Sequence, residues 1–339
     1  YPLIDGVVNG CPSHLLEPTK QNVLQRSEEF DNSAYWVNGG ITINANQTIS
    51  PSGELNADLL TGVSGTFGVL RFSTWTATNK VASCFAKAGS TNLFKIANVS
   101  GGNRYVIFNL SNGTVSEQST GWTGFIENYG NGWYRCTAIS NNETGTFSLG
   151  VTAASESVYI WGAQLEYDYK TSYIPTTTSA VTRSSETATN SGDASTFNDS
   201  EGVLYAQISA LSNSGDTYRL ISLNNGSGTN TNRIFIGYTN NNSIYATINN
   251  TTIAITPSSF DVKNFNKVAV LYNGSIAKLF INGSEVGSGL TNAPTLSGLS
   301  RVDFSGSSIG ANEFKGNTKD LRVYNTALTD AELQALTSN

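Results

Sequence analysis

The sequence predicts an all-β protein, with two antiparallel β-sandwich domains and one short C-terminal helix. Short runs of β-branched and aromatic residues alternate between apolar and polar positions, as strands with one buried face do. Gly, Asn and Ser interrupt these runs roughly every 8–15 residues, a spacing typical of sandwiches. Only 13% of the residues are charged, so the polar surface is built largely from residues that favour turns.

The chain of 339 residues is longer than one typical domain, which indicates two. We expect an extended leader at residues 1–21, which holds three prolines and has no periodicity. The first sandwich is expected at 22–183 and the second at 184–339. The segment Ser184–Ser200 has almost no large apolar residue, which predicts an exposed crossing between the domains.

Strand-like runs fill both predicted domains. In the first they are GITINA, GVLRFSTWTAT, KVASCFAKAG, NLFKIANV, RYVIFNL, GWYRCTAIS, GTFSLGV and SVYIWGAQLEY. In the second they are GVLYAQISAL, RLISLNN, NRIFIGYT, SIYATINN, TIAIT, KVAVLY, SIAKLFI, SEVG and KDLRVY. The pairs Asn273-Gly274 and Asn282-Gly283 favour tight hairpin turns because both residue types tolerate positive φ. Thr329, followed three residues later by Glu332, predicts a capped helical turn.

Two sets of phrases resemble known families. NVLQRSEEFDNSAYW, FAKAG, IENYGNGWYRC and YIWGAQLEYDYKTSYIPTTTSAVTR resemble a carbohydrate-binding-module-like jelly roll that is common in bacteriophage tail and other virion proteins. The C-terminal phrase resembles the end of a concanavalin A-like (laminin-G-like) domain. Its matching positions are Phe314, Gly316, Leu321, Val323, Tyr324, Leu328 and Leu333. Together the two resemblances cover about 11–336.

These resemblances imply a non-catalytic binding region of a bacteriophage tail fibre or virion-surface protein that recognises host-surface glycans. Two alternatives stay open: a glycan-binding appendage of a secreted polysaccharide-degrading enzyme, and a structural virion decoration domain without a ligand. Fibres of this kind are commonly trimers, which implies a homo-oligomer, although no residue pattern here indicates a trimer seam. The chain begins at Tyr1 and has no Met, so we interpret it as a piece of a longer polypeptide.

Composition argues against several partners. The net charge is −6 and no Lys/Arg cluster occurs, so nucleic-acid binding is not expected. No apolar run approaches the roughly 20 residues that cross a bilayer, so membrane insertion is not expected either.

The residues also argue against an enzyme. His14 is the only histidine, which leaves no catalytic triad with a G-x-S-x-G turn and no His₂ or His₃ metal site. Glycosidases need two carboxylates, yet the second domain lacks the E-x-D-x-x-E strand of concanavalin A-like glucanases. The nearest fragment is Glu166 and Asp168 in the first domain, which we interpret as a solvated strand end.

Two structural questions stay open at this stage. The jelly-roll resemblance implies a structural calcium site near Asp31 and either Gln164 or Glu166, where oxygen ligands would meet. Cys84 and Cys136 lie in strand-like runs; buried free thiols are the preferred interpretation and a disulfide is the alternative.

Aromatic residues carry the prediction of sugar binding, because pyranose rings stack on Trp and Tyr. Trp133 and Trp161 lie in apolar strands and are assigned to the core. The carbohydrate-binding candidates have polar neighbours or flank an Asn-rich turn: Trp36, Trp75, Trp122, Tyr238 and Tyr245.

Overall fold

The period-two patterns fold as antiparallel strands in a computed structural model. The structure describes residues 3–4, 7–8, 13–63, 69–75, 79–99, 104–140, 145–212, 218–256, 261–307 and 312–338. For 3–4, 7–8 and 69–75 it describes the backbone alone. Within these ranges one helix is present, and the prediction of an all-β fold with a short C-terminal helix is confirmed.

The strands are numbered in chain order. The first seventeen are β1 Leu3–Ile4, β2 Val7–Val8, β3 His14–Leu16, β4 Lys20–Asn22, β5 Val37–Gly39, β6 Ile41–Ile49, β7 Leu55–Gly62, β8 Val69–Trp75, β9 Lys80–Ala88, β10 Leu93–Asn98, β11 Arg104–Asn109, β12 Thr114–Gln118, β13 Trp122–Gly130, β14 Trp133–Ser140, β15 Gly145–Gly150, β16 Ser157–Tyr167 and β17 Val181–Arg183. The rest are β18 Glu201–Ala210, β19 Arg219–Asn224, β20 Arg233–Tyr238, β21 Ile244–Ile248, β22 Thr251–Ile255, β23 Asn266–Asn273, β24 Ile276–Ile281, β25 Ser284–Leu290, β26 Arg301–Asp303 and β27 Gly316–Tyr324, followed by helix α1 Asp330–Thr337.

Residues 1–10 and 19–184 form the first unit. Two six-stranded sheets make up its sandwich: sheet A in the order β12-β11-β10-β15-β8-β5, and sheet B in the order β13-β14-β9-β16-β7-β6. The core between them joins Phe94, Phe108 and Phe147 of sheet A to Ala82 and Ala138 of sheet B. Its apolar residues come from alternate positions of each strand, as a one-sided sheet requires.

The two strand cysteines of this unit face each other in that core. Cys84 of β9 and Cys136 of β14 are direct cross-strand partners, and both are free thiols with no exposed surface. Burial raises the pKa of both thiols, which leaves them protonated and unreactive. The interpretation as buried free thiols is therefore supported over the disulfide.

Residues 11–18 and 185–339 form the second unit. Its sandwich consists of sheet C, in the order β25-β24-β23-β18-β27-β3, and sheet D, in the order β22-β21-β20-β19-β26. The core joins Leu204 and Val270 of sheet C to Ile221 and Ile236 of sheet D. Helix α1 covers the other face of sheet C, where Leu333 is fully buried.

The predicted turn and helix signals of this unit are present with small differences. Asn282 and Gly283 have φ values of 48° and 85° and connect β24 to β25, as expected. At the other hairpin the cross-strand partners are Asn273 and Ile276, so the turn lies one residue later than predicted. Thr329 and Glu332 form the capping box, but the helix has 8 residues instead of one turn.

The predicted leader and crossing both contribute to the second unit. His14–Leu16 of the leader pairs with β27 at the edge of sheet C. In the segment Ser184–Ser200, Ser191 bridges to Val302. These segments contribute backbone partners that their composition does not reveal. The domain bounds at 22, 183 and 184 stay a prediction.

Candidate functional site

The face of sheet B that points away from the core carries a second set of aromatic residues. Along β14, Cys136 and Ala138 point into the core, so the alternation places Trp133 and Arg135 on the opposite face. Phe85 and Trp161 share that face and form a separate buried cluster with Trp133 and Ala57. The sequence assigned Trp133 and Trp161 to a core, and they are buried at 3% and 6% exposure, but outside the main core.

The aromatic rings of this outer cluster contact one another closely. The centroids of Phe85 and Trp161 are 5.2 Å apart, and those of Trp161 and Tyr173 are 4.9 Å apart. Tyr129 meets Phe85 edge to face at 4.9 Å. The buried indole Nε1 of Trp161 has no hydrogen-bond partner among the residues that the structure describes. Contacts of this kind hold the rings in fixed orientations.

A groove opens beside this cluster, with a cavity volume of about 440 Å³. Its lining residues are Thr48, Ile49, Ser50, Pro51, Gly53, Lys87, Tyr129, Gly130, Asn131 and Trp133. We call it the Trp133 groove. Tyr129 is 39% exposed and Ile49 is 59% exposed, so both offer apolar surface to a ligand. The volume lies in the range of small-molecule sites, and the combination of aromatic walls with hydroxyl and amide groups suits a sugar.

Two hairpin turns shape the Trp133 groove. The indole Nε1 of Trp133 donates a hydrogen bond of 3.0 Å to the carbonyl oxygen of Ile49, which ties the end of β6 to the start of β14. In the turn between β13 and β14, Gly130, Asn131 and Gly132 all have positive φ. This left-handed backbone suits Gly and Asn, and it sets the path of the chain beside Tyr129.

The cations on this face differ in their partners. Lys170 forms an ion pair with Glu127, and burial lowers the pKa of Lys170 while Glu127 opposes that shift. Arg135 donates to Ser83 at 3.1 Å and lies 5.5 Å from the Phe85 ring centroid. Lys87 is half-buried in the Trp133 groove. In the described part of the chain, no carboxylate pairs with Lys87.

Three of the five predicted sugar-binding residues are buried, which corrects the prediction for them. Trp36 and Tyr238 have no exposed surface and Trp122 has 2%. The Trp36 indole donates to Arg26 O at 2.9 Å, and the Tyr238 hydroxyl donates to Ile208 O at 2.9 Å. Because each ring faces its sandwich core, none of the three presents a ring to solvent.

The other two candidates have different outcomes. Trp75 ends β8, where its backbone pairs with Gly145, and its side chain lies outside the described residues. Tyr245 is half-buried on the face of sheet D that points away from the core. Its ring lies 5.6 Å from that of Tyr218 and 5.2 Å from that of Phe235. Tyr218 is 38% exposed, so this pair forms a second, smaller aromatic patch.

The sequence interpretation did not indicate the groove: it left Tyr129 out of its candidates and assigned Trp133 to a core, and the structure buries Trp133 at 3% exposure. The signal was present in GWYRCTAIS, where Trp133, Arg135 and Thr137 share one parity and Cys136 shares the other with Ala138. Because Trp133 and the cation Arg135 are two residues apart, they lie on the same face of the strand, and a cation on that face indicates that it is not the face of the main core. The proximity of Ile49 could not be inferred, because it is a tertiary contact across 84 residues between strands that are not neighbours in sheet B.

Glu166, Asp168 and Asp58, all in the described part of the first unit, lie in different environments, and none of them lines the Trp133 groove. Glu166 is fully buried, and its oxygens accept hydrogen bonds from the amide and hydroxyl of Thr171 at 3.0 and 2.5 Å. Asp168 is exposed and has a φ of 69° in the turn after β16. Asp58 is buried, and burial raises its pKa to about 6, but its two oxygens accept from the amides of Phe30 and Asn46.

The residues of the implied calcium site do not fit a calcium ion. The carboxylate of Glu166 holds Thr171, and the amide of Gln164 donates to Ser172 O and accepts from Ile174 N. Both side chains are therefore used to fix the segment after β16, while Asp31 is exposed. Across the described ranges, no group of three His, Cys, Asp or Glu residues could hold a metal ion.

Comparison with known proteins supports the fold of the second unit. Residues 184–334 match the family model of the concanavalin A-like lectin/glucanases superfamily, as the C-terminal phrase implied. This segment is somewhat less than half of the chain. A search of curated proteins found no match.

Solved structures give remote likenesses. The carbohydrate-binding module CBM40 of a Ruminococcus gnavus sialidase, bound to α2,3-sialyllactose, is 18% identical with a TM-score of 0.36, over 45% of this chain and 94% of that one. A pentraxin from Limulus polyphemus is 14% identical with a TM-score of 0.33, over 41% and 70%. Mouse laminin α1 domains LG4-5 are 10% identical with a TM-score of 0.29, over 95% and 96%. At these TM-scores the likenesses carry no argument about a ligand. In the part of the chain that the structure describes, no helix has the length and apolar character to span a bilayer.

Proposed function

We propose that this chain binds carbohydrate without cleaving it, through the Trp133 groove of the first unit. The observation that carries the proposal is the groove itself: the exposed side chains of Tyr129 and Ile49, the buried Trp133 and the polar groups of Thr48 and Asn131 line one cavity. Aromatic surface contacts the C–H face of a pyranose, while short polar groups bond its hydroxyls.

We also propose a biological setting for this binding. The phrases shared with virion jelly rolls support a bacteriophage tail-fibre or virion-surface protein that recognises glycans on its host. A single aromatic contact contributes about 1 kcal/mol, so one site should bind roughly in the millimolar to micromolar range. Several copies on one particle would raise the apparent affinity about 10²–10⁴-fold.

A glycan array followed by calorimetry tests the binding function. We expect the wild-type protein to bind at least one saccharide and Tyr129→Ala to weaken that binding about tenfold or more. Phe125→Ala is the matched control, because Phe125 is 51% exposed on the same strand and does not line the groove. If both variants lose affinity equally, or if neither loses affinity, the saccharide binds outside the Trp133 groove. If the wild-type protein binds no saccharide, carbohydrate binding is excluded.

The same array separates the alternatives. A decoration domain without a ligand predicts no saccharide above background. A catalytic role predicts release of reducing sugar that Glu166→Gln abolishes, and this result would overturn the non-enzymatic proposal. An appendage of a secreted enzyme is distinguished from a fibre by the flanking sequence, since a catalytic domain indicates the former and a coiled-coil or β-helical shaft the latter.

A further inference from the structure

We infer that the Trp133 groove selects an acidic sugar residue, whose carboxylate or sulfate pairs with the ammonium of Lys87. This inference rests on the proposed function and specifies the chemical class of its ligand. Lys87 is the one formally charged residue among those that line the cavity, and the lining contains no carboxylate. A site of this composition is complementary to a single negative charge.

The position of Lys87 is set by its neighbours. Its backbone pairs with Trp133 on one side and Tyr159 on the other, which places it on the outward face of sheet B. Its aliphatic stem runs beside the β13–β14 turn, where a Cβ at Gly132 would lie 3.4 Å from Lys87 Cε. The turn therefore packs along the stem of a residue that lines the groove, and a lysine with a packed stem keeps its ammonium in contact with water.

Lys87 also differs from the other cations of this face. Lys170 is paired with Glu127, and Arg135 is held by Ser83 above the Phe85 ring. Among the described residues, neither a carboxylate nor an aromatic ring contacts the Lys87 ammonium. The ammonium of Lys87 therefore has no ion pair within the described residues, and an oxyanion of the ligand would supply one.

The groove has the parts that an acidic pyranose needs. Tyr129 and Ile49 offer exposed apolar surface to the ring, and Thr48 and Asn131 offer groups for its hydroxyls. The oxyanion then extends toward Lys87. The chain as a whole carries a net charge of −6, so general attraction of polyanions is not expected, and selectivity for the acid would come from this one ammonium.

Calorimetry with matched saccharide pairs tests the inference on the full chain. One pair is tetragalacturonate and its fully methyl-esterified form; the other is a sulfated galactotetraose and its desulfated form. We expect the wild-type protein to bind one of the acids about tenfold more tightly than its neutral partner. The pair that shows the difference identifies the oxyanion as carboxylate or sulfate.

The variant Lys87→Gln should bind the acidic and the neutral saccharide of the pair with equal affinity. Lys87→Arg should keep most of the preference, and Lys263→Gln is the control for loss of one cation at an exposed position outside the groove. If Lys87→Gln keeps the acid preference, or if neutral saccharides bind the wild-type protein as tightly as the acids do, the inference is wrong. In the second case a loss on Tyr129→Ala would leave the proposed function standing. If no saccharide binds and Tyr129→Ala changes nothing on the array, both are wrong.

Discussion

The indole nitrogen of Trp133 donates to the backbone carbonyl of Ile49 at 3.0 Å, across 84 residues of sequence. This bond joins the end of β6 to the start of β14, and both segments line the groove. Trp133, which is 3% exposed, is therefore the residue that ties these two segments of the groove together.

Trp133→Phe should cost more free energy of saccharide binding than free energy of unfolding. The ring is retained in part, but the Ile49 carbonyl loses its donor, so stability should fall by about 1 kcal/mol. Denaturant unfolding and calorimetry on the same sample measure both quantities. A loss of several kcal/mol with unchanged affinity would contradict this role and make Trp133 a purely structural residue.

Tyr238 and Tyr245 should respond differently to replacement by Ala. Tyr238 is fully buried in the second core and bonds Ile208 O, so Tyr238→Ala should cost about 3–5 kcal/mol. Tyr245 is half-buried beside Tyr218, so Tyr245→Ala should cost about 1 kcal/mol. Chemical denaturation measures both. Equal costs would contradict the different environments described for them.

Much of the fold could be predicted from the sequence, because alternation and turn chemistry are local. Asn282-Gly283 and the Thr329–Glu332 capping box formed at the expected positions. The site was harder to predict. Trp36 and Trp122 have polar neighbours in sequence, yet their rings are in the core, because the face a ring occupies depends on strand register. The groove itself joins Ile49 to Trp133, a contact across 84 residues of sequence between two strands that are not neighbours in sheet B.

The buried carboxylate of Asp58 should make stability depend on pH. Burial raises its pKa from 3.8 to about 6, with a smaller contribution from the charge of Asp31. Because the folded state holds the proton more tightly than the unfolded state, this group adds stability below about pH 4. That contribution is lost as the pH rises through 6. The difference amounts to about 2–3 kcal/mol.

Asp58→Asn isolates this effect from the other titrating groups. The wild-type minus variant difference in unfolding free energy should be larger at pH 4.5 than at pH 7.5, measured by urea titration at both values. If the difference between wild type and variant is the same at both pH values, Asp58 does not titrate in this range. If the difference is larger at pH 7.5, the pKa of Asp58 is lowered by folding and the prediction is wrong.

The leader strand should stabilise the edge of the second unit. His14–Leu16 pairs with Gly316–Thr318 of β27, and Leu16 is 4% exposed. Leu16→Asp should release this strand and raise amide hydrogen exchange at 316–318, because the edge loses its partner. Leu55→Asp is the control, since Leu55 is 62% exposed. Unchanged exchange in Leu16→Asp would show that the leader contributes nothing to sheet C.

Fluorine NMR of protein labelled with 5-fluorotryptophan tests the central claim most directly. The chain has 5 Trp residues, and single Trp→Phe variants assign their resonances. On titration with a saccharide selected from the array, the Trp133 resonance should shift with the binding isotherm, while those of the buried Trp36 and Trp122 stay in place. A Trp133 resonance that does not move when the saccharide saturates the protein would contradict carbohydrate binding in the Trp133 groove.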